Sequence, residues 1–279
     1  MSDVFNTPSL LTPPMPGCLE MVQRVPDAAF AGLVTRITGY REFAAGHFRQ
    51  SEAASLTVPL IISFGGSFSI ALGRMPGPED HVASFAAGLF AGPVVIDSFG
   101  DAHCIQIDFT PLGARRFFGM PMTELTGRMV DLGDVMGREG CALRERLGHA
   151  ATWDQRLAMA ERFVTRRLAG AARAPCPVSW AFDRLMASGG RLPISRLATE
   201  IGWSRKHLVS RFAAEVGIGP KTLSRVVRFN RVLALSRGDQ EDGWAGIAAE
   251  CGYADQAHLT RDFRELAGVT PSAWLAQAA

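Results

Sequence analysis

At 279 residues and 47% hydrophobic content, the chain holds enough material for about two packed domains. It has no run of about 18 apolar residues, and its first stretch, "MSDVFNTPSLLTPPMPG", lacks a basic start and an unbroken apolar core, which argues against a membrane helix and a signal peptide. A net charge of +2 says little about partners, and five cysteines with no C-x-x-C pair make neither a disulfide framework nor a zinc site, pointing to a reducing cytoplasm.

In chain order, residues 1–20 read as a disordered, proline-broken tail. From about residue 33 to 109, "LVTRITGY", "LTVPLIISFGGSFSIAL", "GPVVIDSFG" and "HCIQIDFTP" are short, rich in Val, Ile and Phe, and punctuated by Gly and Pro, as strands are. Alternation in "CIQIDF" sets Cys104, Gln106 and Asp108 on one face and Ile105, Ile107 and Phe109 on the other, a half-buried strand of an antiparallel sheet or barrel.

The period becomes helical from Pro111. "PLGARRFFG" is a short amphipathic piece, and "REGCALRERLGHA" and "DQRLAMAERFVTRRLAG" are longer helices, the last with Leu157, Ala160, Phe163, Val164 and Leu168 along one side. "RMVDLGDVM" is expected to pack across the sheet. The stretch "GAARAPCPV" supplies Gly and two prolines and marks a linker at 171–178. The fold class is therefore α+β. A strand-rich, barrel-like domain with following helices occupies 21–170, and an all-α domain occupies 179–279.

No chemistry assembles in the first domain. His47, His81 and His103 are scattered, with no H-x-H or H-x-x-x-H spacing, so no metal is expected. In "GDAHCIQID" the adjacent His103 and Cys104 point to opposite faces of a strand, so Cys104 reads as a packed thiol. A cysteine-based DNA-repair enzyme needs four clustered cysteines, whereas Cys18, Cys104, Cys141, Cys176 and Cys251 are dispersed. No catalytic residue and no cofactor is expected.

The C-terminal domain carries a duplication. "LATEIGWSRKHLVSRFAAEVGIGPKTL" lies over "IAAECGYADQAHLTRDFRELAGVTPSAW". Trp203 matches Tyr253 at an offset of 50, and Leu208 matches Leu259 at 51, because the second copy has one extra residue in its turn. In the first copy Gly202 supplies a tight turn and Ser204 caps the next helix. Leu208 and Phe212 then face inward, while Lys206 and Ser210, flanked by Val209 and His207, face out. In the second copy Leu259 and Phe263 point in, and Arg261, Ala257, Arg264 and Thr260 point out. Each copy, at 194–215 and 244–266, is a helix-turn-helix whose second helix has a free polar face of the kind that enters a DNA major groove. Between Trp203 and Arg231 the charged residues are Arg205, Lys206, Arg211, Lys221, Arg225, Arg228 and Arg231 against the single acid Glu215, and both lysines of the chain fall in this window. "PKTLSRVVRFNRVLALSRG" has Pro at an allowed helix start and Gly at its end. Its Leu223, Val226, Val227, Val232, Leu233 and Leu235 would pack between the two copies, and its length suits a rod holding two reading helices in adjacent grooves about 34 Å apart.

The double pattern resembles the DNA-binding domain of the AraC/XylS transcription regulators. The resemblance rests on "LATEIGWSRKHLVSRF", "GIGPKTL" followed by Arg228, "IAAECGYADQAHLTRDF" and "GVTPSAW". Leu223 stands where the family usually has Tyr or Phe, Gly219 where it often has Ser, and Leu275 where Arg commonly follows. The resemblance implies binding to double-stranded promoter DNA through Arg205, Lys206, Val209 and Ser210 of the first reading helix and Gln256, Ala257, Thr260 and Arg261 of the second. Arg and Lys can donate to guanine, Gln can bridge adenine, and Val209 and Ala257 can only touch a thymine methyl or make room. Arg211, Arg225, Arg228 and Arg264 are expected on phosphates, which position without specifying. The expected protein is a cytoplasmic activator, without membrane contact, that acts with RNA polymerase. Its first domain resembles the family's sensor half, binding a small-molecule effector or forming a homodimer. The alternative is an effector-independent regulator whose first domain serves only oligomerisation or RNA polymerase contact.

Overall fold

Runs of β-branched and aromatic residues between Gly and Pro turns become strands in the first part of the chain. The computed structural model, which describes residues 9–10, 19–43, 46–170, 177–237 and 243–278, arranges them in two antiparallel sheets. The first sheet has the order β1 (Ser9–Leu10), β4 (Phe48–Glu52), β9 (Val94–Ser98), β6 (Phe68–Leu72) and β7 (His81–Val82). The second runs β11 (Met129–Asp131), β8 (Phe85–Ala87), β5 (Val58–Ser63), β10 (His103–Phe109), β3 (Val34–Glu42) and β2 (Leu19–Arg24). Among the described residues these two sheets make up the strand-rich domain that was expected.

β10 sits between β5 and β3, and its alternation holds: Ile105, Ile107 and Phe109 belong to the main core, and Cys104 to a smaller cluster with Ile61, Phe68, Ile70 and Phe85 from both sheets. The strand is, however, buried on both faces and not half-exposed. Asp108 is 1% exposed, because Arg36 lies over it at 2.9 Å, and the first sheet covers Cys104. Burial pushes the Cys104 thiol up to about 12.

Helices α1 (Pro111–Phe118), α2 (Leu132–His149) and α3 (Trp153–Ala169) cover the other face of the second sheet. The stripe Leu157, Ala160, Phe163, Val164 and Leu168 of α3 is buried as its period requires. Phe117 meets Phe109 at 4.5 Å and Phe163 at 6.1 Å between ring centroids. In the stretch expected to pack across the sheet, Met129–Asp131 pair with β8 as an edge strand, and Leu132, Val135 and Met136 of α2 are buried against the sheet.

Two boundaries differ from expectation. Ser9–Leu10, placed in the disordered tail, pair with Ser51 and Glu52, and Leu19 and Glu20 open β2, since an exposed sheet edge offers unpaired groups to any extended segment. Residues 1–8 and 11–18 lie outside the described residues, as does 171–176 of the linker. Its last two residues, Pro177 and Val178, already belong to α4 (Pro177–Ala187), where Pro suits a first helical turn.

The remaining elements are α5 (Ile194–Ile201), α6 (Arg205–Val216), α7 (Pro220–Leu235), α8 (Gly243–Glu250), α9 (Gln256–Ala267) and α10 (Pro271–Ala278). One hydrophobic core runs through both parts, from Ile105 and Phe117 through Met122 and Leu125 to Phe212, Phe229, Phe263 and Trp274. No helix among the described residues is long and apolar enough to cross a membrane.

Candidate nucleic-acid interface

The two copies of the repeat fold alike because the same local instructions act twice. Gly202 and Gly252 sit at φ 76° and 77°, a left-handed conformation that costs a side-chain-bearing residue energy and turns the chain sharply between two helices. Ser204 then accepts from the His207 backbone N–H at 3.2 Å, and Asp255 from that of His258 at 2.7 Å, satisfying donors at the start of α6 and α9. Leu208, Phe212 and Phe263 are fully buried, and Leu259 nearly so. These anchors set the rotation of each helix and decide what the opposite face presents.

That face is free in both copies. Arg205, Lys206, Val209 and Ser210 are exposed on α6, and Gln256, Ala257 and Arg261 on α9; Thr260 is half-buried, its hydroxyl donating to the Gln256 carbonyl at 2.8 Å. Val209 is 44% exposed on an otherwise polar ridge, a site where a thymine methyl could replace water. Gln256, Ala257, Thr260, Arg261 and Arg264 together line a shallow hollow of about 510 Å³ along α9.

The four arginines expected on phosphates separate into two kinds. Arg211 and Arg264 are exposed. Arg225 is engaged within the protein: it donates to the buried Asp262 at 2.8 and 3.1 Å and pairs with Glu265, and its hydrogen bond to Asp262 raises its affinity for the proton. Two carboxylates of α9 thus compete with a phosphate for it. Arg228 is half-buried, donates to the Gly190 carbonyl at 3.1 Å, and lies 5.4 Å over the Tyr253 ring. It joins the turn before α5 to the turn before α9.

Several contacts around these helices join residues whose meeting the spacing does not predict. His207 meets Trp203 edge-on at 4.5 Å, and His258 meets Tyr253 at 5.1 Å, so each reading helix is buttressed by a histidine on its own turn aromatic. The repeat carried this signal, since both pairs occupy matching positions. Both units also touch the first domain at matching points. The Gly217 carbonyl accepts from Thr126 Oγ1 at 2.7 Å, and Glu215 pairs with Arg115 at 3.0 Å. In the second unit the Leu266 carbonyl accepts from the Ala54 N–H at 2.8 Å, and Gly268 lies against Pro93.

In the first domain His103 and Cys104 diverge. His103 packs on Phe64 at 4.3 Å and Trp153 at 5.2 Å, and burial holds its pKa down to about 4, while Cys104 faces the other sheet. Among the described residues no group of three or more His, Cys, Asp or Glu is placed to hold a metal.

Two capped helix-turn-helix units with free outward faces are thus joined by the sixteen-residue α7, roughly 24 Å of helix. The family model for a helix-turn-helix domain matches residues 197–277. Residues 197–277 are an AraC-type helix-turn-helix domain. That domain spans 81 of the chain's 279 residues. No curated protein matches it in sequence. Among solved structures, ToxT from Vibrio cholerae aligns over 86% of this chain and 97% of its own, at 10% identity and a TM-score of 0.44. Unsaturated fatty acid bound wild-type ToxT from Vibrio cholerae strain SCE256 aligns over 93% and 94%, at 12% identity and 0.39. The AraC-like transcriptional activator CuxR aligns over 78% and 86%, at 14% identity and 0.29. At such TM-scores these likenesses carry no argument about this chain. The AraC-type domain stands on its own residues.

Proposed function

We propose that the chain is a cytoplasmic transcription activator that reads a promoter with both helix-turn-helix units and answers to a small molecule bound in its first domain. The observation that carries the DNA reading is the pair of outward ridges, exposed Arg205, Lys206, Val209 and Ser210 on α6 and exposed Gln256, Ala257 and Arg261 with half-buried Thr260 on α9, each held outward by buried Leu and Phe anchors. Arg211 and Arg264 take phosphates beside them. RNA polymerase and a second copy of the chain are the protein partners, and no catalytic step is assigned to either domain.

Support for an effector comes from the side chains where the two sheets face each other. Tyr40, Val94, Ile96 and Met129 border the small inter-sheet cluster while only partly buried, and Thr38 Oγ1 is buried without a hydrogen-bond partner among the described residues. Apolar walls with a spare polar group suit a small, mainly apolar ligand.

Sequence selection from a random duplex library on the full chain tests the DNA reading: enrichment of a two-part motif is expected, and an unenriched pool refutes it. Calorimetric titration with candidate metabolites tests the effector, with heat saturating at one per chain as the expected result. A promoter fully controlled with no saturable ligand would instead favour the effector-independent alternative.

A further inference from the structure

Between the two helix-turn-helix units lies a cleft of about 610 Å³ that the reading residues do not account for. Its walls come from three places: the turn before α5, with Arg191; the first half of α7, with Lys221, Arg225 and Arg228; and α9, with His258 and Glu265. Arg225 is already neutralised by Asp262 and Glu265, and the neighbouring Arg231 by Glu250 at 2.9 Å. Arg191, Lys221 and Arg228 have no carboxylate partner among the described residues. The first donates to the Ser188 carbonyl at 3.2 Å, and the last to the Gly190 carbonyl at 3.1 Å while lying over the Tyr253 ring. Three uncompensated cations therefore converge on one open groove, and Glu265, its one acidic wall, is spent on Arg225.

We propose that this cleft seats the phosphodiester backbone of the duplex segment that joins the two half-sites. The inference rests on the DNA reading above and extends it. The cleft is bounded by the entry to the first unit and by the first turn of the second reading helix, so a strand passing from one groove to the next would run along it. Exposed Lys221 and Arg191, neither of them in a salt bridge among the described residues, keep donors for an anion, and a groove open at its ends suits a polyanion that continues in both directions. Arg191 and Lys221 then position the duplex, and they carry no base information.

The test uses the full chain and its selected site. Each of Arg191→Ala and Lys221→Ala, both exposed positions, should reduce the slope of log affinity against log salt by about 0.9, so that the loss between 50 and 200 mM salt becomes about 3-fold smaller. Base preference should be unchanged. Neutral methylphosphonate linkages between the half-sites should weaken the wild type and should weaken the R191A/K221A double variant much less. If both variants keep the wild-type slope, or the neutral linkages cost the wild type nothing while it still selects its motif, the cleft assignment is overturned and the base-reading assignment survives. A wild type that selects no motif overturns both.

Discussion

The two helix-turn-helix units share a sequence plan and differ in how they are held. The first leans on the strand-rich domain through side chains, with Arg115 against Glu215 and Thr126 against the Gly217 carbonyl. The second meets that domain through backbone, Ala54 to Leu266, and its reading helix is tied to α7 by Arg225 on Asp262 and Glu265. A contact made by side chains can be retuned by substitution. One made by backbone depends on the path of the chain. The same domain therefore grips both units at matching positions of the repeat but through unlike contacts.

Substitutions can break that comparison in order of size. Arg225→Ala leaves the buried Asp262 carboxylate without its partner and should cost about 1–3 kcal/mol in stability, with reading lost mainly in the second half-site. Urea melts together with half-site variants would check it; equal loss at both half-sites would mean that Arg225 supports the whole domain. Arg261→Ala should cost about 1–3 kcal/mol at the cognate site and relax one base position. Equal loss on cognate and random DNA would contradict a base-reading role. Removing the caps compares the units directly: Ser204→Ala and Asp255→Ala should each cost about 1 kcal/mol, seen in thermal melts, with Asp255 the larger because its bond is shorter and charge-assisted. Arg115→Ala should change stability by less than about 1 kcal/mol, since the pair is partly exposed, yet alter first-half-site affinity. An affinity change confined to the second half-site would reverse the assignment of contacts.

Much of this was legible from local pattern. The inward pairs Leu208 with Phe212 and Leu259 with Phe263, the Ser204 cap and the α3 stripe follow from spacing alone, because one helix carries both ends of each relation. What escaped depends on the meeting of distant segments. Arg225 and Asp262 are 37 residues apart, and nothing in a basic helix face announces that carboxylates will cover one of its arginines. The double burial of β10 needed the first sheet and Arg36 to be placed. The bond from Ala54 to Leu266 is made by backbone, and so leaves no mark in residue type.

Methylation-protection footprinting of the full chain on its selected duplex addresses the central claim most directly. Two protected major-groove segments about one helical turn, roughly 10 base pairs, apart are expected, with R261A losing only one of them. Protection of a single segment, or loss of both in R261A, would contradict the account of two separately held reading helices.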